Sequence, residues 1–277
     1  MPRQQLEIAT GFYTSDSLPL CAQRCINWIP VIPQAEALNQ RALFDAPGLT
    51  LFSTVTGANR GGQEMKEIAY FVNGTSLFSV SSTGVSTNLG TIEGTGRVSL
   101  ANNGQYLVIV VPNGKAYAYD NVSSALAEIT DVDFTARKAS AVVYKDGYFV
   151  FSAADGSVFF NSSLNDPFTF SGLDFGTAEI NPDRIIGLHV NHNELYVLGV
   201  ETIELFQNVG GSGFPFQRIP GANIQKGVHS SYSVSEFDNT FTFVGGGINE
   251  ASAIWKVTGS SSAVKISTSA IDNAIQQ

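Results

Sequence analysis

The chain has 277 residues, of which 43% are hydrophobic and only 14% charged, and it contains 27 Gly and 19 Phe. This composition is typical of an ordered, turn-rich protein and excludes an intrinsically disordered one. The formal net charge is −9, which makes the chain poorly suited to holding nucleic acid through phosphate contacts. The charge is compatible with a passive surface along which DNA passes without adhering.

The amino-terminal segment MPRQQLEIATGF has no apolar core of signal-peptide length, and no stretch approaches roughly 18 consecutive apolar residues. Secretion through a standard signal and membrane spanning are therefore not expected. Cys21 and Cys25 would lie about 13 Å apart in an extended chain, too far for a disulfide. A turn or helix could bring them together, but two reduced structural thiols are the preferred interpretation.

Residues 1–60 differ in character from the rest of the chain. Trp28, Pro30 and Pro33 fall within ten residues of one another, and the prolines exclude a helix interior. We expect an extended arm and a first strand over residues 1–60, with the arm packed on the body through its large apolar side chains. Those side chains are Trp28, Ile29, Leu43 and Phe44.

From about residue 61 onward the chain repeats itself. The unit is an apolar strand, a tight turn and a second strand with large apolar residues, at 68–80, 107–120, 148–162, 195–208 and, more loosely, 240–257. Further strands precede and follow most copies. A period of roughly 40–50 residues with about four strands in each unit is the signature of a β-propeller.

Two turns recur in phase within these units. Between the second and third strands stand Asn73-Gly74, Asn113-Gly114 and Asp155-Gly156. Between the first and second strands stand Asn103-Gly104, Asp146-Gly147, His192-Asn193 and Asp238-Asn239. These are two-residue hairpin signals, and their register favours a propeller over the alternative, a plain β-sandwich.

The sequence therefore predicts an all-β protein, a β-propeller with about five visible blades of antiparallel strands at 61–277 and an extended amino-terminal arm. The last unit ends at KISTSAIDNAIQQ without a clear partner strand. We expect the propeller to be incomplete at its carboxy terminus, as part of a longer protein or completed by another chain.

No catalytic or metal-binding constellation is convincing. His189 and His192 with Glu194 would make a metal site only if the turn folded back, and surface or turn histidines are the simpler interpretation. Asp131 and Asp133 resemble the start of a calcium loop, but the required Gly and distal Glu are missing. The segment 152–160 resembles the aspartate box of sialidase-type propellers, with the wrong spacing and without the closing Trp. We therefore predict that the chain is not an enzyme and uses no cofactor or metal.

Several short stretches occur in order along the chain: MPRQQL at the start, FDAPGL at 44–49, GTGRVSL at 94–100, DRIIGL…ETIELF at 183–206 and QKG at 225–227. In these stretches the chain resembles the packaged-DNA stabilisation proteins of short-tailed phages, also called tail accessory or tail hub proteins. The resemblance runs through nearly the whole chain in order. The family's chains are longer, so functions of the missing part are in question.

The resemblance implies a structural virion protein of the phage tail, made in the host cytoplasm. Members of this family form a hexameric ring below the portal and its head-to-tail adaptor ring. They retain the packaged DNA and provide attachment for the tail needle and the tailspikes or fibres. The resemblance implies no membrane partner. It also implies that DNA passes the protein without specific binding.

Two other functions remain as alternatives: a carbohydrate- or receptor-binding propeller, and a glycosidase-type propeller. For the first, Tyr13, Phe214 and Phe216 in exposed loops would serve as stacking platforms. The partner contacts that we expect for a tail hub are in the arm and in the glycine-rich loop at 210–218. They are Phe12, Tyr13, Trp28, Phe214, Phe216 and Arg218. For Trp28, packing on its own propeller is an equal alternative.

Overall fold

The computed structural model describes residues 25–31, 42–154, 156–180, 183–211 and 213–276. The chain divides into two compact units, one of residues 1–51 with 267–277 and the other of residues 52–266. In the first unit, β1 (Trp28–Val31) and β2 (Ala42–Asp45) pair as an antiparallel ribbon.

Residues 52–266 form five antiparallel sheets in which successive strands pair, and we call these sheets blades one to five. Blade one contains β3 (Asn59–Met65), β4 (Ile68–Asn73), β5 (Ser76–Val80) and β6 (Ser86–Thr91). Blade two contains β7 (Ser99–Asn102), β8 (Tyr106–Val110), β9 (Ala116–Asp120) and β10 (Ala125–Glu128). Blade three contains β11 (Ala139–Lys145), β12 (Tyr148–Ala153), β13 (Val158–Ser163) and β14 (Asp166–Thr177).

Blade four contains β15 (Ile185–Asn191), β16 (Glu194–Gly199), β17 (Ile203–Asn208) and β18 (Phe216–Ile224). Blade five contains β19 (Gly227–Val228), β20 (Ser235–Phe237), β21 (Thr240–Gly246), β22 (Ala253–Val257) and β23 (Ala263–Lys265). Both β19 and β20 pair with β21, so they form one inner strand that is interrupted by a 3₁₀ turn at Ser231–Ser233.

The predicted propeller with five blades is confirmed, and the sandwich alternative is wrong because the strands form five separate sheets. Each predicted repeat unit corresponds to the second and third strands of one blade. The predicted turns are also confirmed where the structure describes them, since Asn113, Asp146 and Asp238 all adopt positive φ angles. Asp155, in another predicted turn, lies outside the described residues. Asn and Asp tolerate this left-handed conformation better than other residues with a side chain.

Four hydrophobic cores join consecutive blades. Each is built from alternate residues of facing strands, for example Leu77 with Leu107 between blades one and two, and Tyr196 with Phe243 between blades four and five. The other two join blade two to three and blade three to four. A strand in a blade that is covered by another blade on each face is therefore buried on both faces. In β16, for example, every residue from Leu195 to Gly199 is buried. This explains the apolar run that the sequence shows there.

A short helix, α1 (Val132–Arg137), follows blade two, where the sequence suggested only an outer strand. Asp131 caps it by accepting hydrogen bonds from the backbone N–H groups of Asp133 and Phe134. The carboxylate pair that resembled a calcium loop is thus a helix start. The helix places Phe134 among three phenylalanines of blade three, Phe151, Phe160 and Phe170, with ring centroids 5.2, 5.9 and 4.9 Å away.

Arg60 stabilises the segment that connects blade one to blade two. Its guanidinium is buried and donates hydrogen bonds to the carbonyl oxygens of Gly96, Gly74 and Ile92 at 2.7, 3.0 and 3.1 Å. Burial lowers the pKa of Arg60. The planar guanidinium donates several hydrogen bonds at once, and it thereby pairs backbone carbonyl groups in the segment that connects the two blades.

The carboxy-terminal helix, α2 (Ser269–Gln276), belongs to the same compact unit as residues 1–51. The sequence had assigned this segment to the propeller range 61–277. The first strand of the propeller begins at Asn59, next to the expected arm boundary at residue 60.

Replacing Phe134 by Ala should lower the free energy of unfolding by about 3–5 kcal/mol, because it leaves a cavity among aromatic rings that cannot close around it. Urea unfolding followed by tryptophan fluorescence measures the change. Val132→Ala is the matched control in the same helix, since Val132 is exposed, and it should cost about 0.5 kcal/mol or less. Equal losses in the two variants would contradict the role of this aromatic cluster.

Replacing Arg60 by Lys should lower the free energy of unfolding by about 2–3 kcal/mol, because an ammonium group cannot reach all three carbonyls and leaves buried acceptors unpaired. Thermal and urea unfolding would measure the loss. Arg184→Lys, at an exposed position just before β15, is the control with little expected effect. An Arg60→Lys protein as stable as the wild type would show that the three hydrogen bonds of the guanidinium are not needed for stability.

Candidate partner-binding surfaces

The ribbon of β1 and β2 carries exposed apolar side chains. Trp28 is 53% exposed, and Ile29 and Phe44 are exposed to a similar degree, so the burial expected for these three side chains is not found. The thiol of Cys25 is free and lies 3.1 Å from the carbonyl oxygen of Trp28. An isolated two-stranded ribbon is only marginally stable in water, so this surface is suited to a partner. Cys21, Phe12 and Tyr13 lie outside the described residues.

The loop between β17 and β18 does not present the aromatic platform that the sequence suggested. Phe216 begins β18 and is 3% exposed. Phe214 is partly buried, with its ring 5.3 Å from that of Phe159 and 5.7 Å from that of Phe216. The expectation that Phe216 lies in an exposed loop was therefore wrong, because Phe216 starts β18 and packs in the core between blades three and four, with its ring 6.1 Å from that of Tyr148. The receptor-binding alternative loses two of its three stacking aromatics.

Arg218 has a partner within its own blade. Its Nε lies 2.9 Å from Oε2 of Glu204, a carboxylate that is only 1% exposed. Burial raises the pKa of Glu204, while the Ile180 N–H, which donates to Oε1 at 2.7 Å, and Arg218 act in the opposite direction. Arg218 thus compensates a buried carboxylate, and its expected contact with a partner protein stays a prediction.

The stretch DRIIGL…ETIELF builds a turn rather than a binding site. Asp183 Oδ2 accepts hydrogen bonds from the backbone N–H groups of Glu201 and Thr202 at 2.7 and 3.0 Å. A Cβ atom on Gly199 would lie 2.4 Å from the same oxygen, and one on Gly227 would lie 1.8 Å from the carbonyl oxygen of Val200. The glycines therefore let blade five approach the turn between β16 and β17, and the motif fixes this junction.

The inner strands of the five blades surround an axial cavity of about 570 Å³. Its lining includes Arg60, Arg97, His189 and Tyr232, and none of the described lining residues is an Asp or Glu. Arg97 lies over the Tyr232 ring at 5.1 Å, which links blade two to blade five across the axis. The described lining of this cavity therefore carries basic side chains and no carboxylate.

His189 is held in the wall of this cavity rather than on the surface. Its ring packs at a tilt against that of Phe241, with the centroids 4.5 Å apart, and its Nε2 is buried without a hydrogen-bond partner. Burial lowers the pKa of His189, with Glu236 acting in the opposite direction. His192 sits in the turn after β15 with a positive φ angle. The partial burial of His189 could not be predicted from the sequence, since one histidine on a strand is compatible with either face.

Across the described ranges, no group of three or more His, Cys, Asp or Glu side chains is placed to hold a metal ion. In the same part of the chain, no helix has the length and apolar character needed to cross a bilayer. The candidate sites are thus surfaces: the exposed ribbon, the axial cavity, and the outer faces of the blades.

Comparison with known proteins gives a consistent result. The chain is 27% identical over 298 residues to the tail hub protein gp10 of Salmonella phage P22, in an alignment that spans all of this chain and 60% of that relative. Two solved structures share the fold. They are the computationally designed Ika8 protein (TM-score 0.50, 17% identity, 78% of this chain and 64% of that one) and YCF48 bound to D1 peptide (TM-score 0.50, 10% identity, 74% and 66%).

The model of a family described as bacteriophage P22 Gp10, β-propeller, matches residues 4–277. That range includes the arm, the five blades and the turn that Asp183 organises. The match agrees with the fold found here and with the relative in phage P22, and we conclude that the chain belongs to this family.

Proposed function

We propose that this chain is a structural component of a phage tail: a hub protein that forms a ring below the portal and adaptor and helps to retain the packaged DNA. The observation that carries the proposal is the family match over residues 4–277 together with the similarity to a tail hub protein. The chain spans about 60% of that relative's length, so the ring, its hexameric state and its partners are part of the proposal.

The architecture supports a scaffold role. Blades joined by apolar cores form a stiff body, and such a body can hold loops and ribbons in fixed positions for neighbouring proteins. The net charge of −9 supports a channel protein that DNA passes without phosphate contacts holding it. Within the tail, the needle and the tailspikes would attach to the hub from outside.

The exposed ribbon is the surface that we assign to the adaptor ring. Trp28 is a large aromatic side chain on a strand, and residues of this type contribute most of the energy in many protein interfaces. Phe12 and Tyr13 are proposed to extend this contact. Arg218 is a secondary candidate because its guanidinium is partly exposed beside Glu204.

Purified protein mixed with adaptor-capped portal rings should join them in a fixed number of copies, and it should not bind portal rings that lack the adaptor. Native mass spectrometry and negative-stain imaging measure both properties. Failure to join capped rings at concentrations well above those of the rings would overturn the proposed function. Binding to a glycan array instead would favour the receptor-binding alternative.

Replacing Trp28 by Ala should weaken binding to adaptor-capped portal rings about thirtyfold, equivalent to about 2 kcal/mol of lost interface energy. The side chain is exposed, so the thermal midpoint should not change. Val122→Ala, at an exposed position in the turn between β9 and β10, is the matched control. If both variants bind as the wild type does, Trp28 is not a contact.

A further inference from the structure

The chain contains three Asn-Gly dipeptides, each in a tight turn of blade one or blade two: Asn73-Gly74, Asn103-Gly104 and Asn113-Gly114. A backbone nitrogen that follows asparagine can attack the side-chain amide of that residue, and the attack meets least hindrance at glycine, which has no Cβ. The reaction converts asparagine to aspartate or isoaspartate without an enzyme. The three dipeptides are alike in sequence, and they differ in the structure around the asparagine side chain.

Asn73 is held through both polar groups of its side chain. It is 8% exposed, its Oδ1 accepts a hydrogen bond from Asn59 Nδ2 at 2.9 Å, and its Nδ2 donates to the carbonyl oxygen of Gly57 at 3.2 Å. The N–H of Gly74 donates to the carbonyl oxygen of Ala58 at 2.9 Å. A Cβ atom on Gly57 would lie 2.6 Å from the nitrogen of Gly74. A separate segment of the chain therefore covers this turn and restrains both atoms that would have to react.

Asn103 is restrained within its own turn. It is partly buried, and its Oδ1 accepts hydrogen bonds from the backbone N–H groups of Gln105 and Tyr106 at 3.0 and 2.7 Å. The N–H of Gly104 donates to Oδ1 of Asn102 at 3.1 Å. Rotation of the Asn103 side chain toward the nitrogen of Gly104 would break the first two of these bonds.

Asn113 has neither form of protection. It is exposed, and in the part of the chain that the structure describes its side-chain amide has no hydrogen-bond partner. It has a φ of 61° in a turn that is closed by a hydrogen bond from the Gly114 N–H to the carbonyl oxygen of Val111 at 2.8 Å. That bond lies entirely within the turn, so a local opening breaks it while β8 and β9 stay paired.

We propose that Asn113 is a site of spontaneous deamidation in the folded protein, and that Asn73 and Asn103 keep their amides. The backbone nitrogen of Gly114 loses its proton to hydroxide and attacks Cγ of Asn113. The N–Cγ bond forms, the Cγ–Nδ2 bond breaks, and Nδ2 takes up a proton and leaves as ammonia. The product is a succinimide ring.

Water then opens the succinimide ring. The hydroxyl group adds to one of the two carbonyl carbons, and a proton returns to the nitrogen. Attack at the former side-chain carbonyl gives aspartate, whereas attack at the backbone carbonyl gives isoaspartate. Water is the only reactant consumed, and nothing is oxidised or reduced.

The modification changes the contact between this turn and the next blade. The Asn113 N–H donates to the carbonyl oxygen of Ala139, the first residue of β11, at 3.2 Å. Isoaspartate adds one carbon atom to the main chain of the turn, which displaces this donor, and either product replaces a neutral amide with a carboxylate. The modified protein is therefore less stable where blades two and three meet.

The test is incubation of the folded 277-residue protein for several weeks at mildly alkaline pH, followed by peptide mapping with mass spectrometry. Asn113 should lose its amide at least tenfold faster than Asn73 or Asn103. In concentrated urea the three rates should converge, because the turns no longer restrain the side chains. Electron-transfer fragmentation distinguishes isoaspartate from aspartate.

Gly114→Ala is the variant that should slow the loss at Asn113 at least tenfold, because its Cβ hinders the attacking nitrogen. Gly114 lies outside the left-handed region, so alanine suits its backbone. Asn113→Gly removes the amide at a position whose positive φ suits glycine, and it replaces Gly114→Ala if that variant does not fold. After the same incubation, either variant should keep its thermal midpoint while that of the wild type falls.

An intact Asn113 amide in the incubated wild-type protein overturns the inference. Loss of the amide at Asn73 or Asn103 at the same rate as at Asn113 also overturns it, because the discrimination would then not come from the structure. The reaction needs no partner protein, so its outcome is independent of the proposed function.

Discussion

The structure depends on one constraint: each blade is a thin sheet with two apolar faces, and it is stable only where neighbouring blades cover both. Each of the four cores between successive blades is shared by two sheets, so removing side chains from one blade also weakens the next. Strands such as β12 and β16 are buried on both faces for this reason. In the described residues, the cores join blade one to blade two and blade five to blade four.

The stretch by which the family is most easily recognised serves this constraint and not a ligand. Asp183 closes the turn after β16, while Gly199 and Gly227 remove the side chains that would keep blade five away from it. Glu204 and Arg218 fill the adjacent interior as a paired carboxylate and guanidinium. A motif of this type identifies a fold reliably, yet it says little about what the outer surfaces bind.

The surfaces that remain available to partners lie where the repeat breaks. The ribbon before the propeller exposes Trp28 and Phe44. Blade five exposes Phe237 and Val264, while Phe52 and Val85 are exposed at blade one. This separation has a physical reason, because apolar residues of the repeat are buried in the cores between blades and cannot also contact other proteins.

The sequence by itself determined the fold class, the number of blades and the turn positions. The reason is that the spacing of strands, the Asn-Gly turns and the apolar runs of strands buried on both faces are all local patterns of residues. It also identified the family through short stretches kept in order along the chain. It could not place side chains whose surroundings come from distant segments. Phe216 reads as a loop residue but is buried in the core between blades three and four. Nothing local in the sequence indicates that Asp131 caps α1 or that Arg60 donates hydrogen bonds to three carbonyls. Only the tertiary structure decided these, because burial and hydrogen-bond partners are set by which blades meet.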